Sequence, residues 1–495
     1  MKLKDVIKGV ELVKSGNGTN REISGIFYNS QKVLPDGLFV AIRGTNTDGH
    51  SYIQEAVSRG AAVIVTERRN VIVPPGIVHI IVQDSRKALA RISANFYHNP
   101  SGIMKVFGVT GTKGKTSTSI MLKEIFKTAG FKVGLIGTIN YEIGERIVPS
   151  TNTTPETADI QQMLSEMVDK QIGHAVIEVS SHALDQGRVE GIEFDGGIFT
   201  NIAAHEHLDY HKTFRAYLAA KLKFVQQYIA LSQKKNKYLI VNADDPYAGV
   251  FVKTARAAKI PCVSYGIRRK ADFMPERFSY SVDGLRFELA GNRFYTPLIG
   301  ETNLSNCLAA ISLAVQEHIE YSVIAKALSG ISRIPGRMEF VEKGQEFRVV
   351  VDYAHTHEAL RQLLITIRRL GPKRVILVFG CGGNRDRSKR PLMGRIGVRL
   401  ADVVILTSDN PRNEDPVEII KDIERGIPFW LRNRYRVIPD RKEAIHAAIK
   451  QAQSGDWVVI AGKGHETYQI VGNVFIPFDD RKVADDALNE IGKNG

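Results

Sequence analysis

The sequence predicts an α/β protein in three domains, with parallel sheets in the second and third. Three observations predict it. Apolar runs of strand length recur from residue 105 onward, with helical stretches between them. Strands buried on both faces read as continuous apolar runs, and their alternation with helices implies a parallel sheet. The chain has 495 residues, which fits about three domains of ordinary size. Two Pro- and Gly-containing stretches, 98–102 and 334–337, interrupt both helix and strand and mark the joins.

Taken in order, residues 1–98 carry short apolar runs such as Leu38–Ile42 and Ala61–Val65 between polar loops, a small α/β domain. Residues 99–335 form the second domain, with strands at Val106–Val109, Val133–Ile136, Ala175–Val179, Ile198–Ile202 and Tyr238–Val241. From Phe278 to Pro297 the pattern alternates apolar and polar around turns at Asp283-Gly284 and Gly291-Asn292. This predicts an antiparallel meander added at a sheet edge. Residues 336–495 resume the rhythm at Arg348–Val351, Val375–Phe379, Val403–Thr407 and Trp457–Ala461, a Rossmann-like third domain.

Lys and Arg number 67 against 53 Asp and Glu, a net +14 that favours anionic partners. The basic residues are spread along the chain. Clefts for nucleotides and carboxylates are therefore expected rather than a nucleic-acid track. Cys262, Cys307 and Cys381 are odd in number and lack CxxC spacing, which argues against a disulfide framework or a zinc site. Met1–Val6 lacks the apolar core of a signal peptide, and no apolar run approaches the ~18 residues needed to span a bilayer. A cytoplasmic monomer acting on small molecules, with no membrane or nucleic-acid partner, is the expectation.

The sharpest local signal is Gly108-Val109-Thr110-Gly111-Thr112-Lys113-Gly114-Lys115-Thr116, between an apolar strand and a helix-compatible stretch from Ser117. Glycines let backbone N–H groups curl around phosphate oxygens, and the helix N-terminus adds positive potential. Lys115 would reach the β/γ-phosphates and Thr116 would hold Mg²⁺. Glu178 ends the apolar strand 175–178, at the sheet end where a metal-holding acid belongs. His205, Glu206, His207 and Asp209 crowd one short loop.

Three further loops follow strand ends in the last domain: 381–386, 409–412 and 462–466. Arg385 and Arg412 can clamp carboxylates through paired hydrogen bonds, and Glu466 can accept from an ammonium group. A diamino dicarboxylic acid satisfies that set. Lysine would leave one arginine unpaired.

The ordered motifs resemble the Mur ligases, nearest their MurE type. They are Gly111–Thr116, Thr153-Thr154-Pro155, Glu178–His182, His207–His211, Ala219–Lys221, Asn303–Asn306, Gly336–Glu339 and Asp352–His355. The resemblance implies an ATP- and Mg²⁺-dependent ligase adding meso-diaminopimelate to UDP-MurNAc-L-Ala-D-Glu through an acyl-phosphate, in peptidoglycan synthesis. It implies ATP binding by Gly111, Thr112, Lys113, Gly114, Lys115, Thr116, Ser117, Asn306, Arg337 and Asp352. The UDP-sugar-dipeptide would meet Tyr28, Ser30, Thr45, Asn46, Thr47, Thr153, Thr154, Ser180, Gln186 and Arg188. Metal would be held by Thr116, Glu178, His207 and a carbamoylated Lys221. Lys115, Glu178, His207 and Lys221 would carry the catalysis.

The resemblance also assigns diaminopimelate to Arg385, Asp409, Asn410, Pro411, Arg412, Gly462 and Glu466, because Asp-Asn-Pro-Arg marks diaminopimelate-adding members. Some positions depart from the family pattern. Asn29 and Gln31 flank Ser30 where Asp and Arg are usual. Lys113 stands for Asn, Glu206 for Asp, Asn384 for Asp, and His357 for Pro. These leave open a related ligase with another amino acid. A nucleic-acid-stimulated P-loop ATPase is the rival from a different class.

Overall fold

In the computed structural model of the chain, the apolar runs become the strands of parallel-dominated sheets. It describes residues 1–16, 18–44 and 47–494, the side chains of 492–494 excepted. By packing, Met1–Pro275 and Ser305–Leu328 form one unit, and Glu276–Leu304 with the chain from Ser329 onward forms another.

In the first unit, a five-stranded sheet runs in the order Leu12–Ser15, Val78–Val82, Ala61–Thr66, Gly37–Val40, Ile26–Phe27. Only the Leu12–Ser15 border is antiparallel. Leu38, Val40, Val63, Val65 and Ile80 pack in one core with Leu89 and Ile92 of the helix Ser85–Phe96. Asp84 caps that helix by accepting from the amides of Arg86 and Lys87.

The second sheet has eight strands. Its order is Cys262–Tyr265, Tyr238–Asn242, Gly196–Phe199, Lys105–Thr110, His174–Val179, Val133–Ile136, Asn140–Ile143, Arg146–Pro149. The first six are parallel and the last two form an antiparallel hairpin at the border. Lys105–Thr110 lies between His174–Val179 and Gly196–Phe199. The chain leaves it for one side of the sheet and later returns to the other. Such reversals open a crevice at the carboxyl ends of strands. Gly108 is required there because a Cβ would stand 2.5 Å from the Phe224 ring.

In the second unit, the predicted meander exists as Arg277–Ser281, Gly284–Leu289 and Asn292–Thr296, but as a three-stranded sheet of its own. It does not extend the edge of the eight-stranded sheet, as the alternating pattern led us to expect. Alternation reports one buried face; it does not say which neighbour buries it. Val282, at its first turn, packs against the core of the last sheet.

That last sheet runs Glu339–Phe340, Arg348–Asp352, Trp457–Ala461, Val375–Phe379, Val403–Leu406, Tyr435–Val437, parallel except at the Glu339–Phe340 border. Alternate side chains serve opposite faces. Val375, Leu377 and Phe379 pack in the layer of His357–Arg369 and Lys389–Leu400. Ile376 and Val378 pack in the layer of Arg441–Lys450 and Asp480–Asn494. Arg441 and Asp480, both fully buried, join the starts of two helices through two hydrogen bonds of 2.7 Å. No helix among the described residues is long and apolar enough to cross a membrane.

Candidate active site

The phosphate loop leaves the strand Lys105–Thr110 and enters the helix Lys115–Thr128. Gly114 takes φ +84°, a left-handed conformation that suits glycine, and a Cβ there would meet Asn306 Oδ1 at 2.5 Å. At Gly111 a Cβ would fall 1.8 Å from Thr200 Oγ1. The loop is braced from the segment after strand Gly196–Phe199. Thr112 N donates to Asn201 O at 2.8 Å and Lys113 N to Asn201 Oδ1 at 2.9 Å. Thr200 Oγ1 donates to Lys113 O at 2.6 Å. Lys115 Nζ folds onto the carbonyls of Gly111 and Thr112, at 2.9 and 3.2 Å. Ser117 is buried just inside the helix.

Glu178 is a buried hub, 1 % exposed. Its Oε2 accepts from Thr116 Oγ1 and Thr138 Oγ1, each at 2.9 Å, and its Oε1 from Thr138 N at 2.8 Å. Thr154 Oγ1 donates to Glu178 O at 2.7 Å and accepts from Ser180 N. Thr153 lies 3.1 Å from Thr138, hydroxyl to hydroxyl. Gln186 Oε1 takes two donors from Arg188, whose Nη1 reaches Thr154 O at 3.0 Å. Thr153, Thr154, Ser180, Gln186 and Arg188 thus form one connected patch beside the phosphate loop.

His207 sits at φ +59° in front of a short helical turn. Burial first, then the charges of Lys115 and Lys221, drive its imidazole down to about 2, so it is neutral and able to act as a ligand. Its ring lies 5.3 Å from that of His182 and 5.6 Å from that of Tyr217. Lys221 is 1 % exposed, and burial holds its amine well below the usual lysine range, with Lys115 adding to the effect. Among the described residues it makes no hydrogen bond or ion pair; its Nζ lies 5.1 Å from the centre of the Tyr217 ring. His205 and Asp209 are part of the same loop, and Glu206 pairs with Lys113.

Mg²⁺ prefers oxygen donors, and the Thr116 hydroxyl beside the Glu178 carboxylate supplies them. No group of three or more His, Cys, Asp and Glu side chains gathers to hold a metal among the described residues. An unmodified lysine at 221 adds no oxygen donor to that pair.

Tyr28 donates to Asp159 at 2.5 Å and Ser30 to Glu55 at 2.7 Å, while Thr47 is exposed. Thr45 and Asn46 lie outside the described residues. Asn306 stands with the phosphate loop, whereas Arg337 and Asp352 belong to the second unit. There Arg337 lies over Tyr353, 4.9 Å from the ring centre, and Asp352 accepts from the amides of Met338 and Ala354.

The three loops of the last sheet come together. Arg412, at φ +52°, donates from Nη1 to Gly383 O at 2.9 Å, and Gly383 N donates to Asn410 O. Burial, then the charge of Arg385, lowers the Arg412 guanidinium. Arg385 is exposed and forms no hydrogen bond or ion pair among the described residues. Two guanidiniums that disfavour each other are what a bridging carboxylate would relieve. Asn410 Nδ2 donates to Glu466 Oε2 at 2.9 Å. Gly462, at φ +121°, gives room for Asp409: a Cβ would sit 2.6 Å from its Oδ2, a buried oxygen with no hydrogen-bond partner among the described residues. Pro411 O contacts the bare α-carbon side of Gly383, where a Cβ would sit 1.8 Å away.

Sequence reasoning passed over Thr138, Thr200, Tyr217 and Lys463. Thr138 follows the end of strand Val133–Ile136, a placement that could have flagged it. Tyr217, whose hydroxyl meets Thr112 Oγ1 at 2.7 Å, had no such signal.

The chain matches the Mur ligase family catalytic domain over residues 22–97, the Mur ligase middle domain over 109–314 and the Mur ligase glutamate ligase domain over 336–464. It is 44% identical over 482 residues to a UDP-N-acetylmuramoyl-L-alanyl-D-glutamate–2,6-diaminopimelate ligase of Geobacillus kaustophilus, covering 96% of this chain and 97% of that protein. A ligase of the same name from Syntrophomonas wolfei is 43% identical, with 99% of each covered. A solved structure of a ligase of that name superposes with a TM-score of 0.69 at 31% identity, covering 99% of both chains. The chain belongs to the Mur ligase family and, within it, to the MurE-type amide-forming ligases.

Proposed function

We propose that the chain adds meso-diaminopimelate to UDP-MurNAc-L-Ala-D-Glu at the expense of ATP. The observation that carries this is the loop cluster in which Arg412, Asn410, Glu466 and Gly462 come together beside Arg385. It offers cations for two carboxylates and an anion for an ammonium, the inventory of a diamino dicarboxylic acid. Relatives of that name match nearly the full length.

In this reading the residues divide into blocks 1–98, 99–335 and 336–495, for the uridine nucleotide, ATP and the amino acid. Tyr28, Ser30 and 45–47 meet the uridine end. Thr153, Thr154, Ser180, Gln186 and Arg188 hold the sugar and peptide, aiming the D-Glu side-chain carboxylate at the γ-phosphate. The loop amides of 111–116 and Lys115 offset charge on the phosphates as that carboxylate attacks. Asn306 orients the nucleotide. ADP leaves, and the acyl-phosphate is met by the diaminopimelate amine. Loss of a proton and of phosphate yields the amide.

Thr116, Glu178, His207 and a carbamate on Lys221 would hold Mg²⁺, which when bound neutralises phosphate charge. Burial lowers the Lys221 amine and so favours the uncharged form, the one that reacts with CO₂; the product carries anionic oxygen where the amine carried none. The sequence-level expectations of a monomer in the cytoplasm, acting without nucleic acid, belong to this same reading.

The test is phosphate release by the purified chain with ATP, UDP-MurNAc-L-Ala-D-Glu and a panel of amino acids. Turnover with meso-diaminopimelate and not with lysine is expected. Turnover with lysine, or none with diaminopimelate, would overturn the acceptor.

A further inference from the structure

The most deeply buried cation of the last loop cluster is one that the motifs did not single out. Lys463 is 0 % exposed. Its Nζ donates to Asn410 Oδ1 and to Glu466 Oε2, both at 3.0 Å, and lies 5.8 Å from the centre of the Tyr468 ring. Asn410 cannot turn over, because its Oδ1 also accepts from Ile470 N at 3.0 Å. Its Nδ2 is thereby aimed at the same Glu466 Oε2. One oxygen of Glu466 thus receives two donors, an ammonium and an amide. The other, Oε1, accepts no hydrogen bond among the described residues, and the Glu466 side chain keeps 20 % of its surface open.

We propose that Lys463 is the positioning residue of the amino-acid site. It saturates Oε2 of Glu466 and so presents Oε1 as the single acceptor for an ammonium group of the incoming diamino acid. This rests on the reading of 409–412 and 462–466 as the acceptor site.

The buried ammonium has a second effect. A carboxylate in a mostly desolvated loop favours ionisation only with a cation or donors close by. Lys463 supplies a cation at hydrogen-bond distance, 3.0 Å from Glu466 Oε2, before any substrate arrives. Asn410 is the relay: it fixes the ammonium on one side and the carboxylate on the other.

The test compares the full-length wild type with K463M and K463Q, using meso-diaminopimelate and 2-aminopimelate, which keeps both carboxylates and one amine. K463M is expected to raise KM for diaminopimelate roughly tenfold or more, with KM for ATP and for UDP-MurNAc-L-Ala-D-Glu within about twofold. Its preference for diaminopimelate over 2-aminopimelate should shrink by a similar factor. In an E466Q background the same substitution should add little. K463Q, shorter but still a donor, should fall between and serves if K463M does not fold. Equal loss for all three substrates, or an undiminished preference for diaminopimelate in both variants, would overturn the inference. A wild type inactive with diaminopimelate would instead overturn the acceptor reading.

Discussion

Lys113 Nζ lies 3.0 Å from Glu206 Oε1, joining the phosphate loop to the loop that carries His207. Both positions depart from the Mur ligase pattern, Lys for Asn and Glu for Asp, and the structure pairs the two departures with each other. The Glu206 side chain is 9 % exposed and that of Lys113 33 %. Removing the lysine therefore takes a cation from a buried carboxylate, while removing the carboxylate leaves an ammonium with access to water. K113M should cost about 1–3 kcal/mol and E206Q less, with the double variant recovering part of the loss. Urea unfolding of the four proteins measures it. Additive losses would show the pair to be uncoupled.

Under the proposed role, Lys221→Ala should abolish turnover, because it removes the amine that a carbamate would be built on. Adding a short carboxylic acid to that variant should restore part of the phosphate release. Full activity in the variant would exclude the role.

Gly111→Ala should prevent the phosphate loop from closing as it does. The new methyl would have to displace Thr200, whose hydroxyl stands 1.8 Å from the required position and donates to Lys113 O. Loss of nucleotide binding by calorimetry is expected, with the diaminopimelate loops unaffected.

Arg412→Ala should weaken diaminopimelate use by about 1.5–3 kcal/mol, the range for a hydrogen bond to a charged group, or roughly ten- to a hundredfold in KM. KM for ATP should hardly move. Unchanged diaminopimelate kinetics would remove Arg412 from the site.

Acid should loosen the same region through Glu414. Its carboxyl is held at about 2, chiefly by Arg390, against an ordinary 4.5. Between those values the unfolded chain binds the proton and the folded chain does not. The stabilisation is therefore complete above about 4.5 and is lost as pH falls toward 2. E414Q should show a shallower loss of stability over that window in acid titration followed by circular dichroism.

Much of this was legible in advance, and for identifiable reasons. The phosphate loop announces itself because glycines, lysine and threonine must stand in fixed order between strand and helix. Arg412 and Glu466 could be named because each is a charge following a strand end, whereas Asn410 was named only through the family resemblance. The central parallel strands of both large sheets show as unbroken apolar runs; the outer ones, Cys262–Tyr265 and Tyr435–Val437, are broken by Ser264 and Arg436 and were missed. The border hairpin Asn140–Pro149 escaped notice, since its outer strand is exposed and carries no apolar run. The partner of the meander escaped too, because alternation records a buried face and not its cover. Lys463 stood inside the loop 462–466 yet drew no role, because a lysine reads as surface until the fold encloses it.

The hairpin has a consequence for how the molecule keeps to itself. Its outermost strand, Arg146–Pro149, is four residues long, begins with a charge and ends with a residue that has no amide hydrogen to offer. A strand from another chain finds there few bonds to make and a cation to bury. The eight-stranded sheet is thereby closed to growth on that flank, although Ile147 is open to water.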